Sequence, residues 1–178
     1  TGENKFSIKS HLKQRHLNIN LHPTIIDEEN NIATFLLYTL TGKLAGYQQY
    51  NPRGSKTISN TKAESKYYTY RNKSYPIVTL FGIESLNSKH QPIFLTEGIF
   101  DAARMTSLGF SALATMANNP PRDYMNFLLM LNRPIVAVCD NDKAGRKLAK
   151  FGHYIETPET DLSDASDDYI NYLIGKYI

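Results

Sequence analysis

The chain has 178 residues, 41% hydrophobic and 21% charged, with 12 Tyr and 8 Phe, which excludes a disordered chain and suits one domain or two small ones sharing an interface. One Cys, Cys139, rules out an intramolecular disulfide framework and a Cys-based zinc site and fits a reducing, cytoplasmic setting; no run of about 18 apolar residues offers a membrane span, and residues 1–5 lead into no apolar stretch of a secretory signal. The net charge of +3 conceals an asymmetry, because residues 1–90 hold twelve Lys and Arg against six acids while residues 91–178 hold eight against eleven; composition alone reads this as an ordinary solvated surface of uneven charge, and only motifs turn it into a polyanion on one half and a cation on the other.

In chain order, residues 6–17 set Phe6, Ile8 and Leu12 among Lys and His at the spacing of a short helix. Beyond His22-Pro23 the chain reads as strands. Residues 31–40 are rich in β-formers, Thr41-Gly42-Lys43 makes a turn, and residues 44–50 return as the partner of a hairpin. Residues 51–75 are polar, basic and Tyr-rich without periodicity, as in surface loop with short strand.

The pattern changes at Gln91-Pro92. Residues 93–96 predict a short buried strand, 100–108 a helix, 111–114 a second strand and 122–131 a helix entered through Asn119-Pro120-Pro121. Residues 134–139 form a continuous apolar run, the mark of a strand covered on both faces. A helix over 144–150, a strand over 153–155 and a helix over 167–174 complete an alternation that predicts a parallel α/β sheet with right-handed crossovers.

Acids fall where such a sheet binds ligands, beyond the carboxyl ends of its strands. Glu97 follows the first of these strands, Asp140-Asn141-Asp142 the third, and Asp164 comes after the fourth. Asp101, four residues past Glu97, shares a helical face with it if the helix starts promptly. Each acid alone is also explained as a helix cap or a partner of a helix dipole. Caps do not require Glu-Gly after one strand and Asp-x-Asp after another, so the joint pattern favours a site. Clustered carboxylates repel and are tolerated with a cation, and all-oxygen ligation points to Mg²⁺ or Mn²⁺ rather than zinc. Gly98 and Gly145 are expected to let the backbone pack closely beside the acids.

Thr96-Glu97-Gly98-Ile99-Phe100-Asp101 and Val138-Cys139-Asp140-Asn141-Asp142-Lys143-Ala144-Gly145-Arg146 resemble the Toprim domain of topoisomerases, primases and related nucleases, and residues 162–169 look like the segment of phage and bacterial primases that carries a further metal-site acid. The resemblance covers residues 92–172. Upstream, Tyr50-Asn51-Pro52-Arg53, Ser65-Lys66-Tyr67 and Thr79-Leu80-Phe81-Gly82-Ile83 are similar in order and spacing to the basic subdomain that precedes Toprim in bacterial-type primases.

The resemblance implies a Toprim-like parallel sheet flanked by helices (residues 91–178), preceded by a smaller basic α+β subdomain (residues 1–90). It implies a DNA primase core making short RNA primers on single-stranded DNA from ribonucleoside triphosphates, with two ions. Glu97, Asp140 and Asp142 would be the principal metal residues, with Asp101 and Asp164 extending the site. Arg53 and Lys66 would face phosphates and Arg71 and Lys73 would add electrostatic attraction, while Lys56, Lys62, Lys143 and Arg146 read as solvated surface charge. Tyr67, Tyr68 and Tyr70 read either as core or as base-stacking residues.

Two departures bear on this. Primases of this type carry an N-terminal zinc-binding module that one Cys cannot form, so these residues are an excised core, are served by a separate zinc-binding protein, or prime differently. The phosphate loop of a replicative helicase is missing from these residues, and the resemblance implies such a helicase as a candidate partner. A Toprim nuclease and a non-catalytic nucleic-acid-binding module stand as alternatives, whereas a type IA topoisomerase needs strand-gating domains that 178 residues do not supply.

Overall fold

A computed structural model describes residues 5–57, 61–74, 79–117 and 119–178. The expectations for residues 1–4, 58–60 and 75 lie outside the described residues.

Helix α1 (Ile8–Gln14) starts at Ser7, whose side chain accepts the Ser10 N–H, and Ile8 and Leu12, four apart, are fully buried. Four antiparallel strands follow in spatial order: β1 (Thr24–Asp27), β2 (Ile32–Tyr38), β3 (Leu44–Tyr50) and β4 (Tyr67–Arg71). Strand β2 alternates strictly, with Ala33, Phe35 and Leu37 turned to the core. The expected hairpin is β2–β3, its turn closed through Gly42 at φ 80°.

The second sheet is parallel, in order β6 (Ser111–Ala114), β5 (Ile93–Thr96), β7 (Ile135–Val138) and β8 (Tyr154–Glu156). Every residue of β5, β6 and β7 is buried because both faces are covered. Phe94, Ala112, Ala114, Val136 and Val138 point to one side, against α2 (Ile99–Thr106) and α4 (Asp167–Tyr177). Ile93, Leu95, Leu113, Ile135, Ala137 and Cys139 point to the other, against α3 (Asp123–Leu131) and the residues that follow β7. Those residues form the helix expected there, over Gly145–Phe151 and of 3₁₀ type. The last helix runs three residues beyond its expected end, to Tyr177. Among the described residues no helix is long and apolar enough to cross a membrane.

The two sheets share one core. Phe100 of α2 packs edge-on against Phe35 (6.1 Å between centroids) and Tyr50 (4.8 Å) of the antiparallel sheet. Replacing so buried an aromatic ring by Ala costs about 3–5 kcal/mol. A buried polar tie reinforces the join: His22 Nδ1 lies 2.5 Å from Glu84 Oε1, and its Nε2 lies 2.8 Å from Thr106 Oγ1 on α2. The shared core holds the basic half against the α2 side of the parallel sheet, next to the carboxyl ends of its strands.

Candidate active site

Strands β5 and β7 are hydrogen-bonded neighbours running in parallel, so Glu97, one residue past β5, and Asp140, two past β7, leave the same edge of the sheet. Helix α2 begins at once after Gly98, which puts Asp101 in its first turn, where an acid is favoured by the helix dipole. The 3₁₀ turn Leu162–Asp164 crosses above, and the Ser163 N–H donates to Asp101 Oδ1 at 2.9 Å. Gly145 is required: a Cβ there would lie 2.3 Å from the Asp140 carbonyl oxygen and 2.7 Å from its nitrogen. Gly98 does not meet the expectation of close backbone packing, since its Cβ would touch only the Asp101 side chain, at 3.1 Å.

These acids line one wall of a cavity of about 590 Å³, inside the roughly 300–1,000 Å³ of small-molecule sites. Glu97, Asp101, Asp140, Asp161 and Asp164 face it, and Arg15, Lys56 and Lys66 face it from the antiparallel half. The two lysines are set by backbone bonds that close their loop: Ser55 N–H to Glu64 O at 2.8 Å and Lys66 N–H to Ser55 O at 3.0 Å. The Arg15 guanidinium lies 3.7 Å over the Phe100 ring and donates to Tyr50 Oη and Ser163 Oγ, each at 3.4 Å.

Negative charge is under-compensated along the acidic wall. Burial, then Asp140, Asp142, Asp101 and Asp161, push Glu97 up to about 7. Burial raises Asp101 to about 6, with Asp161 and Asp140 adding to the rise and the Ser163 N–H opposing it. Asp140 is also raised, by burial and then by Asp161 and Asp142. Carboxylate oxygens are hard donors, and their shared unfavourable charge is what a hard divalent cation relieves. Glu97, Asp140 and Asp142 fit such a cation in donor type. Among the described residues, however, no three His, Cys, Asp or Glu side chains close into a ready-made ligand group.

The sequence-predicted residues divide. Glu97, Asp101, Asp140, Asp164 and Lys66 come together at the cavity. Asp142 is exposed beside it and accepts the Gly145 N–H at 2.5 Å, so it also caps the 3₁₀ turn. Arg53 lies outside the lining, 5.6 Å from the Phe6 ring. Arg71 donates to the Thr115 carbonyl at 3.0 Å, joining the two halves, and Lys73 is exposed. Asp161 and Arg15 carry no signal in the sequence, and Lys56 reads there as solvated charge, yet the structure puts all three in the wall. Lys143 and Arg146 are exposed surface charges, as expected.

The site thus lies where acids at the strand ends of a four-stranded parallel sheet face cations from a four-stranded antiparallel sheet. No family model matches the chain, and no curated protein matches it. Solved structures do. The catalytic core of DnaG superposes with a TM-score of 0.67 at 13% identity, covering 94% of this chain and 72% of that one. The RNA polymerase domain of Mycobacterium tuberculosis primase DnaG gives 0.61 at 17% identity, covering 97% and 63%. A DnaG primase catalytic domain bound to single-stranded DNA gives 0.62 at 13%, covering 94% and 60%. The chain thus spans between 60% and 72% of the length of these relatives.

Proposed function

We propose that this chain is the catalytic core of a DNA primase, with residues 1–90 handling template and nucleotides and residues 91–178 forming a Toprim metal-binding half. The observation that carries the reading is the two-walled cavity, acids opposite cations, within a primase-core fold. Glu97, Asp140 and Asp142 would hold Mg²⁺ or Mn²⁺, with Asp101, Asp161 and Asp164 extending the wall toward a second ion. Bound there, divalent ions neutralise the triphosphate and lower the barrier to in-line attack. Lys56, Lys66 and Arg15 would grip phosphates from the facing wall, and the buried side of the cavity holds reactants together against dilution. The 3′-hydroxyl oxygen of one ribonucleotide would attack the α-phosphorus of the next, its proton passing to solvent as the bond to the β-phosphate oxygen breaks and pyrophosphate leaves.

Partners follow from the same reading. A matching structure of Aquifex aeolicus primase contains a zinc-binding domain beside its RNA polymerase domain, and another match is the primase fragment of the bacteriophage T7 primase-helicase protein. We assign single-stranded DNA as template, a zinc-binding module, on this protein or another, as reader of start sites, and a replicative helicase as the protein that delivers template. The test offers the chain single-stranded DNA, four ribonucleoside triphosphates and Mg²⁺ or Mn²⁺. Growth of RNA supports the reading, shortening of the DNA assigns a nuclease instead, and an intact mixture with DNA retained assigns a binding module.

A further inference from the structure

The face of the antiparallel sheet turned away from the cavity carries tyrosines that the proposed reaction does not use. Strand alternation turns Phe35, Gln48 and Tyr50 inward, and Tyr47, Tyr68 and Tyr70 outward. The β3–β4 register sets Tyr47 opposite Tyr70 and Gln49 opposite Tyr68. Tyr47 stacks on Tyr70, with centroids 5.4 Å apart and planes 26° apart, and meets Tyr68 at 6.5 Å. Strand β4 is at the sheet edge, and Tyr70 is 48% exposed.

A cation sits on this row. Lys62 Nζ lies 4.9 Å from the Tyr47 ring centroid and donates to Tyr47 Oη at 3.3 Å, and Gln49 Nε2 holds the loop there by donating to the Lys62 carbonyl at 3.2 Å. The same loop sends Lys56 and Lys66 into the cavity on the other face, so its cations flank the β4 edge on both sides. Residues 43–73 hold seven Lys and Arg against one acid, Glu64. Partly exposed rings interleaved with cations offer π-faces to bases and charge to phosphates, a combination suited to unpaired strands rather than to a duplex whose bases are already stacked.

We propose that the outer face around Tyr47, Tyr68 and Tyr70, with Lys62, is a second binding site, which stacks unpaired bases of single-stranded nucleic acid on their way around the β4 edge to the cavity. The inference rests on the primase reading for the direction of that path, and its readout is binding, so the two fail separately.

The experiment measures fluorescence anisotropy of a labelled oligothymidylate of about 20 nucleotides, longer than one compact site of about 4–16, with the whole chain and its variants. Tyr68→Ala and Tyr70→Ala should each weaken binding about 5-fold or more, as expected when one stacking partner is removed, and Tyr70→Phe should restore it. A 5-iodouracil oligonucleotide should photo-cross-link to the peptide containing residues 67–71. Far-ultraviolet circular dichroism checks that the variants are folded. Binding through Tyr70 without RNA synthesis would leave this site standing and remove the primase reading. Affinities within twofold of the parent for both Ala variants would overturn the proposal. So would a Tyr70→Ala change that dissociates a dimer without changing affinity for the oligonucleotide, since the face would then belong to a second copy.

Discussion

The backbone N–H of Ser163 donates to Asp101 Oδ1 at 2.9 Å, tying the turn after the fourth parallel strand to the helix after the first. The bond orients a carboxylate that burial and its neighbours hold near 6, and it needs an acceptor oxygen but not a negative charge. Asp101→Asn should therefore melt no lower than the parent, because it retains Oδ1 and removes repulsion. Asp101→Ala leaves the half-buried Ser163 N–H without its acceptor, a loss of about 0.5–1.5 kcal/mol set against the same relief. Thermal unfolding of the two variants checks the order, and nucleotidyl transfer should fall in both.

Stability should depend on pH through the acidic wall. Glu97 and Asp101 stand at about 7 and about 6 in the folded chain, above the ordinary carboxylate range near 4 of an unfolded one. The folded state binds more protons between those values, so the stabilisation is complete below about pH 4 and is lost as pH rises through 6 and then 7. In chelator the melting temperature should fall from about pH 5 to about pH 8. Millimolar Mg²⁺ should raise it most at the alkaline end, and the double variant Glu97→Gln, Asp101→Asn should flatten both effects.

Asp140 and Asp142 separate by what else each does. Asp140→Asn should leave the fold as stable or more stable and lower activity about 100-fold or more. Asp142→Asn should behave likewise, since the amide oxygen can still accept the Gly145 N–H. Asp142→Ala removes that cap and should cost about 0.5–2 kcal/mol besides activity. Denaturant titration beside an activity assay distinguishes the cap from the charge.

The salt dependence of single-strand binding tests the basic wall. Removing one cation that neutralises a phosphate should make the log–log slope shallower by about 0.7. Lys56→Ala and Lys66→Ala should each do so, and Arg53→Ala should do so less, because Arg53 stands outside the cavity. Equal slopes for Lys56→Ala and the parent would remove that residue from the phosphate path.

The parallel half is legible in the sequence because its strands are covered on both sides. Such strands appear as short unbroken apolar runs, and the residue after each run is fixed at the sheet's carboxyl edge, which is what marks Glu97 and Asp140. Asp161 cannot be told from Asp164 in that way: both lie in an irregular segment whose direction depends on the Ser163–Asp101 bond and not on any period. The same holds for Lys56 against Arg53, three residues apart in a loop shaped by backbone bonds between residues 51 and 66. Arg15 ends a seven-residue helix, and only the tertiary contact with Phe100 marks it. Tyr68 and Tyr70 stand out in the sequence, but the face they occupy depends on the β3–β4 register, which no local pattern dictates.

The most direct measurement is RNA synthesis on a single-stranded DNA template by the parent chain beside Asp140→Asn and the double variant Lys56→Ala, Lys66→Ala, with Mn²⁺ and Mg²⁺ in turn. The account predicts labelled oligoribonucleotides from the parent, about 100-fold less or none from Asp140→Asn despite retained single-strand binding, and from the lysine pair a deficit that high nucleotide concentration partly restores. Template shortening by the parent, or RNA yields from Asp140→Asn equal to the parent's, would contradict it.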